Sequence, residues 1–317
     1  NKSPLIIGMS SHGNFVASDF TAFLDHTNRV IFLKDGEIGW ISAQEVHVER
    51  NGEMVRKEIK RVKWKPSEIE KKGFQHFMLK EIFEQPKDIE EFAREIEKSE
   101  KIVFTAAGTS YHASLAFKYA SEFPVDAIIA SEFKQLYRTG EVFAVSQSGE
   151  TADTLEAVRS VKGKAKIFAL VNVFGSSLSR IADRVLYTRA GPEIGVAATK
   201  SFIAQLSALY AIDCLLKGEE IPKFEIKSGL KLASEMRKLA AEICNAKSIF
   251  YIGRGVSYVT AMEGALKMKE IAYIHAEAYP GGELKHGPLA LIEEGVPVIA
   301  ICPNDDLHDK MISNIEE

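Results

Sequence analysis

Ser146, Ser148 and Thr151 are hydroxyl side chains crowded into six residues, directly after the apolar run Val142–Val145 and directly before a helical pattern, in "VSQSGETADTLEAV". Hydroxyls and free backbone N–H groups at the start of a helix are the donors that surround a tetrahedral anion, because the helix N-terminus carries unpaired N–H groups and a partial positive charge. Gly149 lets the backbone approach such an anion closely, and Gln147 lies within the same turn. The stretch has no lysine, which separates it from the GxxxxGK[ST] nucleotide loop and points to a small phosphate monoester. A helix cap followed by a polar turn explains one such loop equally well. A second loop shifts the balance toward the anion: "AAGTSYHA" ends another strand in Gly-Thr-Ser at a helix start, adding Thr109 and Ser110 to the same pocket.

A second set of residues could move protons. Glu263, Lys267 and Glu270 stand at i, i+4 and i+7, on one helix face, where solvated salt bridges are the plain alternative. The following "YIHAEAYPGGELKHGPLALI" sets His275, Glu277, Glu283, Lys285 and His286 in a glycine-rich, apolar-flanked loop. Carboxylate, amine and imidazole held close together are what proton transfer beside a carbonyl needs.

Elements that alternate strand and helix must position these groups. From Lys101 onward short apolar strands (102–106, 125–130, 142–145, 167–171, 185–188) alternate with helices starting near Ser110 and Thr151, and a long helix stops at Gly218. Such alternation predicts an α/β fold with a doubly wound parallel sheet. "FTAAGTSYHASLAFKYA" resembles "FYIGRGVSYVTAMEGALKM", with Gly108, Ser110 and Tyr111 against Gly255, Ser257 and Tyr258, so two copies of one fold are expected in tandem. The second copy is the shorter, and its loop "PNDDLHD" puts aspartates where the first has hydroxyls, which reserves the anion for the first copy. Before residue 67 the pattern is antiparallel β: "VIFLKDGEIGWI" and "VHVERNGEMVRKEI" each place Asp-Gly or Asn-Gly between β-rich runs, the signal of a tight hairpin. Between the two regimes the chain reads as charged helix, with Pro86 dividing two helices.

Composition excludes several classes. Of 317 residues 46% are hydrophobic and 26% charged, with a net charge of -4, and no run of five or more basic residues suggests a nucleic-acid or anionic-membrane partner. No apolar run approaches the roughly 18–20 residues that cross a bilayer, and nothing reads as a secretory signal. Three cysteines, Cys214, Cys244 and Cys302, lie far apart without CxxC spacing, which fits a reducing cytoplasm and neither a disulfide framework nor a metal site.

Taken together, "AAGTSY", "SQSGETADTL", "GPEIGVAATK", "EGALKMKEIAYIHAEAY" and "GELKHGPLALI" resemble the tandem sugar-isomerase domains of the glutamine-dependent fructose-6-phosphate aminotransferases, and "NFVASDFTAFLDHTNRVIFLKDGEI" is similar to the end of that family's N-terminal glutaminase domain. The resemblance implies residues 1–66 as the last part of the glutaminase domain, 67–92 as an interdomain segment, 93–228 as the first sugar-isomerase domain and 229–317 as a truncated second. It implies conversion of fructose 6-phosphate and glutamine to glucosamine 6-phosphate and glutamate, without metal or organic cofactor, in a cytoplasmic homodimer. Carried over residue by residue, Thr109, Ser110, Ser146, Gln147, Ser148 and Thr151 would hold the phosphate and the backbone of Val196 would touch the sugar. Glu270 would move the proton between C1 and C2, Lys267 would assist it, and His286 would open the ring, reaching in from the neighbouring subunit. The chain departs from the family at Ala107, where cysteine is common. The family's cysteine nucleophile and its Schiff-base lysine both fall outside Asn1–Glu317, so this chain is expected to be a fragment, inactive alone in the full reaction, since hairpin strands such as 30–33 would otherwise lack a sheet to join. Two other functions use part of the same equipment: a sugar-phosphate isomerase or glucosamine-6-phosphate deaminase, against which the β-rich N-terminal segment speaks, and a non-catalytic sugar-phosphate sensor, which needs the loops but not Glu270 or His286.

Overall fold

The computed structural model describes residues 4–62, 64, 66–85, 101–222 and 226–317. Its centre is a five-stranded parallel sheet built from β8 (Ile102–Ala106), β9 (Val125–Ile129), β10 (Glu141–Ser146), β11 (Ile167–Val171) and β12 (Arg184–Tyr187), in the order β12-β11-β10-β8-β9. Residues of β8, β10 and β11 are buried on both faces, which is why these strands read as continuous apolar runs rather than alternating ones. Alternate side chains feed two cores. One face carries Phe104, Phe143 and Phe168, packed under α2 (Gly108–Ala120) and α6 (Lys200–Lys217). The other carries Val103, Val142, Ala144 and Ile167 under α3 (Phe133–Leu136), α4 (Ala152–Val161) and α5 (Ser177–Ile181). Phe143 and Phe168 stack at 4.4 Å across neighbouring strands, and Gly218, left-handed at φ 76°, ends α6 where the sequence places its stop.

The tandem repeat is visible in the backbone. After α7 (Ala233–Ile243), β13 (Ser248–Gly253), α8 (Val256–Lys267), β14 (His275–Pro280), β15 (Val298–Ala300) and α9 (His308–Glu316) form a second parallel sheet, ordered β14-β13-β15. That order reproduces β9-β8-β10, and Gly108 and Gly255, which the sequence comparison aligns, both stand at helix starts with φ 55° and 56°. Residues 275–280, expected in a glycine-rich loop, are strand β14 instead: Ala276 and the flanking residues pair in register with β13 and pack into its core.

The N-terminal unit differs from expectation in one respect. β5 (Val46–Arg50) and β6 (Glu53–Met54) form the expected hairpin about Asn51-Gly52, both residues at positive φ. Asp35-Gly36 makes no hairpin: β3 (Arg29–Phe32) joins β1 (Ile6–Ser10), β2 (Gly13–Ala17) and β7 (Lys60–Arg61), whereas β4 (Glu37–Ile41) crosses to a separate sheet with β5 and β6. The strand expected to need a sheet from outside this chain therefore has two partners within it, β1 and β7, and "IIGMS" near the start of the chain is itself the first of them. The helix Phe77–Phe83, α1, follows this unit; the second helix expected after Pro86 lies outside the described residues. Among the described residues no helix is long and apolar enough to cross a membrane.

Candidate active site

Strand order places the site. β9 is added on one side of β8 and β10 on the other, so the strand order reverses between β8 and β10, the position at which open parallel sheets bind ligands beyond their carboxyl ends. The register Ala144 to Thr105 brings Ser146 alongside Ala107, and the two hydroxyl loops meet at this point. In the first loop Ser146 Oγ and Thr151 Oγ1 lie 3.0 Å apart, Gly149 N donates to Ser146 Oγ at 3.0 Å and Glu150 N to Ser148 Oγ at 3.1 Å. Thr151 occupies the N-cap position of α4, but its hydroxyl makes no cap bond, leaving the first-turn N–H groups of the helix to face outward. Gly149 is required twice over. Its φ is 67°, and a Cβ there would sit 2.2 Å from Ser176 Oγ. Glu150, the nearest carboxylate in sequence, is drawn aside by Ser177 N at 2.7 Å.

The second loop contributes differently from its partner. Ser110 Oγ accepts from Gln205 Nε2 at 3.0 Å, so its own O–H remains to be donated. The Thr109 hydroxyl is committed: it donates to Glu263 Oε1 at 3.0 Å and accepts from Lys267 Nζ at 3.1 Å. What Thr109 has left for an anion is its backbone N–H at the start of α2.

That commitment links the two repeats. α2 packs on α8, and their facing sides form a chain of polar contacts from the first copy to the second. His112 Nδ1 lies 2.7 Å from Glu263 Oε2; the carboxylate accepts, which puts a proton on Nδ1. Lys267 Nζ is 3.3 Å from Glu263 Oε1 and 2.6 Å from Glu270 Oε2. Burial pushes the Glu263 carboxyl up, but the His112 hydrogen bond, the Lys267 ammonium and the Thr109 hydroxyl pull harder and hold it below its ordinary value. After Lys267 the helix widens into a π-turn, Met268–Ala272, which carries Glu270. The ion pair with Lys267 misses the angular geometry of a hydrogen bond, so Glu270 Oε2 keeps acceptor capacity.

The predicted site residues thus fall into two neighbouring sets and two outliers. Thr109, Ser110, Ser146, Gln147, Ser148, Thr151, Lys267 and Glu270 belong to the edge of the first sheet or to the α2–α8 contact. Val196 is 91% exposed at the tip of the loop between β12 and α6. His286 is exposed at the end of a 3-10 turn after β14, and its side chain makes no hydrogen bond or ion pair to a described residue. His275, Glu277 and Lys285 serve locally, pairing with Ser248, Tyr279 and Glu317 respectively. Sequence reasoning missed His112, although "AAGTSYHA" contains it; the aligned repeat, which makes α2 and α8 equivalent helices, was the available signal. Among the described residues no group of three or more His, Cys, Asp or Glu side chains is placed to hold a metal ion.

A family model described as SIS domain matches residues 95–212 and 242–315. The chain is 46% identical to a glutamine–fructose-6-phosphate aminotransferase (isomerizing) of Methanothermobacter thermautotrophicus, over all of this chain and 58% of that protein, and 46% identical to one of Thermococcus kodakarensis, over 59% of that protein. It spans less than two thirds of the length of these relatives. Among solved structures it is similar to the C-terminal domain of glucosamine-fructose-6-phosphate aminotransferase from Francisella tularensis, with a TM-score of 0.70 and 38% identity over 78% of this chain and 82% of that one. A glucosamine-6-phosphate deaminase of Thermotoga maritima shares the fold at 22% identity and a TM-score of 0.61.

Proposed function

We propose, from the premise that this chain belongs to the SIS-domain family and is similar along its whole length to glutamine–fructose-6-phosphate aminotransferases, that it is the sugar-phosphate-handling part of such an enzyme, taking fructose 6-phosphate to glucosamine 6-phosphate. The observation that carries this reading is the contact of Thr109, in the anion-binding edge of the first repeat, with Lys267 and through it Glu270 in the second. An isomerase needs an acid–base group a few ångströms from the carbons next to a phosphate-anchored carbonyl, and this juxtaposition supports Glu270 in that role.

In the proposed reaction the loops at 109–110 and 146–151 fix the phosphate, and Val196 offers backbone to the sugar. Glu270 takes a proton from C1 of the open chain whose C2 carries the nitrogen as an imine and returns it to C2, while the C1 hydroxyl proton passes to the nitrogen, so that C2 ends reduced, carrying the amine, and C1 ends as the aldehyde. Lys267 stands beside Glu270 to balance charge that develops on the substrate oxygen. His286, exposed and unpartnered within its own chain among the described residues, fits a role in a second subunit's pocket, which makes the proposed assembly a homodimer. Glutamine hydrolysis is assigned to the rest of the longer protein, with residues 1–66 as the end of its glutaminase domain, 67–92 as the connection, and 93–228 and 229–317 as the two sugar-isomerase domains. The proposed setting is the cytoplasm.

The test is calorimetric titration with fructose 6-phosphate and with fructose, before and after Ser148→Ala. Loss of one hydrogen bond to a charged ester is worth about 1.5–3 kcal/mol, or about 10- to 100-fold in affinity. Unchanged affinity for the phosphate ester removes the anion site from Ser146–Thr151.

A further inference from the structure

The SIS match begins at residue 95, yet a residue ahead of it reaches into the edge of the site. Glu81, on α1, is 1% exposed. Its Oε1 accepts from Ile194 N at 2.6 Å and its Oε2 from Gly195 N at 3.1 Å, more than a hundred residues away in sequence. The approach leaves no room for a side chain at residue 195: a Cβ on Gly195 would lie 2.5 Å from Glu81 Oε2 and 3.4 Å from the backbone of Met78. The next residue is Val196, the most exposed large apolar side chain of the described chain.

The loop that Glu81 grips is otherwise closed on itself. Glu193 Oε1 accepts from Thr199 N at 2.9 Å and Ser201 N at 3.2 Å, stapling its base, and its Oε2 takes the Ser201 hydroxyl. Lys200, at the start of α6, is 3.2 Å from Glu84, the residue that caps the C-terminal end of α1. Lys72 at 2.9 Å and Lys80 at 3.6 Å complete the charge around Glu84. The other end of the loop is fixed to the sheet by Asn172, whose side chain donates to Gly191 O at 2.7 Å and accepts from Ala190 N at 2.9 Å. The loop follows β12 at the carboxyl edge of the sheet, the edge that holds Ser146–Thr151. Its staple and anchors fix its ends, whereas at its tip the backbone N–H groups of Ile194 and Gly195 are held, among the described residues, by Glu81. Burial pushes the Glu81 carboxyl above its ordinary value, with Glu193 adding to the effect against the two N–H groups and Lys200. A carboxylate is costly in such a place unless its acceptor capacity is used, and two aligned N–H groups use it.

We propose that Glu81 is a positioning residue: from the segment that precedes the SIS module it clamps the 194–195 backbone and so sets where residue 196 meets the sugar. The proposal rests on the sugar-phosphate reading above. It makes α1 a tie between the N-terminal unit and the sugar end of the pocket, separate from the phosphate end.

Two variants reach the contact from opposite sides. Glu81→Gln keeps size and removes one acceptor and the charge; Gly195→Ala keeps Glu81 and pushes it off the backbone. In each, amide hydrogen exchange at 193–199 is expected to quicken about tenfold or more while exchange at 146–151 stays as it was, with folding checked by circular dichroism. Affinity for fructose 6-phosphate is expected to fall about tenfold and affinity for inorganic phosphate to remain within about twofold, the split that a general loss of folding does not produce. Unchanged exchange in both variants, with sugar-phosphate binding intact, overturns the clamp alone. An equal loss for fructose 6-phosphate and inorganic phosphate overturns the positioning role. Failure of the unsubstituted chain to bind fructose 6-phosphate overturns the sugar-phosphate reading, and the positioning role with it.

Discussion

Replacing Glu263 by glutamine isolates the contact that joins the two repeats. The substitution keeps the volume of a side chain that is 8% exposed and replaces one acceptor oxygen by an amide that cannot accept from both His112 Nδ1 and Thr109 Oγ1. One buried hydrogen bond to a charged group is therefore lost, at about 1.5–3 kcal/mol. Lys267 adds less. It is a fifth exposed and keeps Glu270 at 2.6 Å, so its lost pairing at 3.3 Å contributes no more than about 1 kcal/mol. The expected destabilisation at pH 7 is about 1.5–4 kcal/mol for the unit containing the two parallel sheets. It depends on pH in a defined direction. The folded carboxyl is held below its ordinary value, so the unfolded chain binds its proton more tightly; the stability it contributes is present above the unfolded pKa and disappears as pH falls through the lowered folded value. Glutamine has no such titration. The gap between the two proteins, measured by urea unfolding of the full chain at pH 7 and again below pH 4, should therefore narrow in acid. A His112→Ala partner variant should couple to Glu263→Gln rather than add to it. A gap of equal size at both pH values, or strict additivity of the two variants, refutes the reasoning.

Two other outcomes follow from the same geometry. Gly149→Ala meets both a positive φ and a contact of 2.2 Å with Ser176 Oγ, so it should abolish measurable fructose 6-phosphate binding by calorimetry while the far-ultraviolet circular dichroism of the sheet persists. In a full-length parent, mixed subunits carrying His286→Ala and Glu270→Ala should regain part of the isomerase activity that each variant lacks; verified heterodimers without recovery would place both groups of a pocket on one chain.

The parallel sheets were legible in the sequence because strands buried on both faces leave unbroken apolar runs, and β8, β10 and β11 are such strands. The hydroxyl loop was legible because its chemistry is local: every donor from Ser146 to Thr151 sits within six residues of sequence. The charged contacts were not. Glu263 could be read only as a member of an i, i+4 series with Lys267, since nothing in that spacing reveals that His112 and Thr109, some 150 residues earlier, are its other partners. Glu81 was hidden more thoroughly, inside "HFMLKEIFEQP", where a glutamate beside a lysine on a short amphipathic helix reads as solvent-exposed surface. Both residues escaped for one physical reason: a buried carboxylate is stable only through partners, and those partners come from whichever element the fold brings near, which periodicity along one helix does not encode.

The Asp35-Gly36 misreading has the complementary cause. A turn signal fixes the local backbone, φ 82° at Gly36, but not whether the strands on either side pair with each other. β3 found β1 and β4 found β5, because pairing is decided by which apolar faces meet, and Ile7, Ile31, Leu33 and Val48 meet in a core between the two sheets. The same logic governs the site. Turn and cap residues place hydroxyls at a sheet edge, whereas packing of α2 on α8 decides that Lys267 and Glu270 stand beside them. A substitution that loosens that helix contact without touching a polar group is therefore expected to separate phosphate binding from proton transfer, and phosphate binding should be the function that survives.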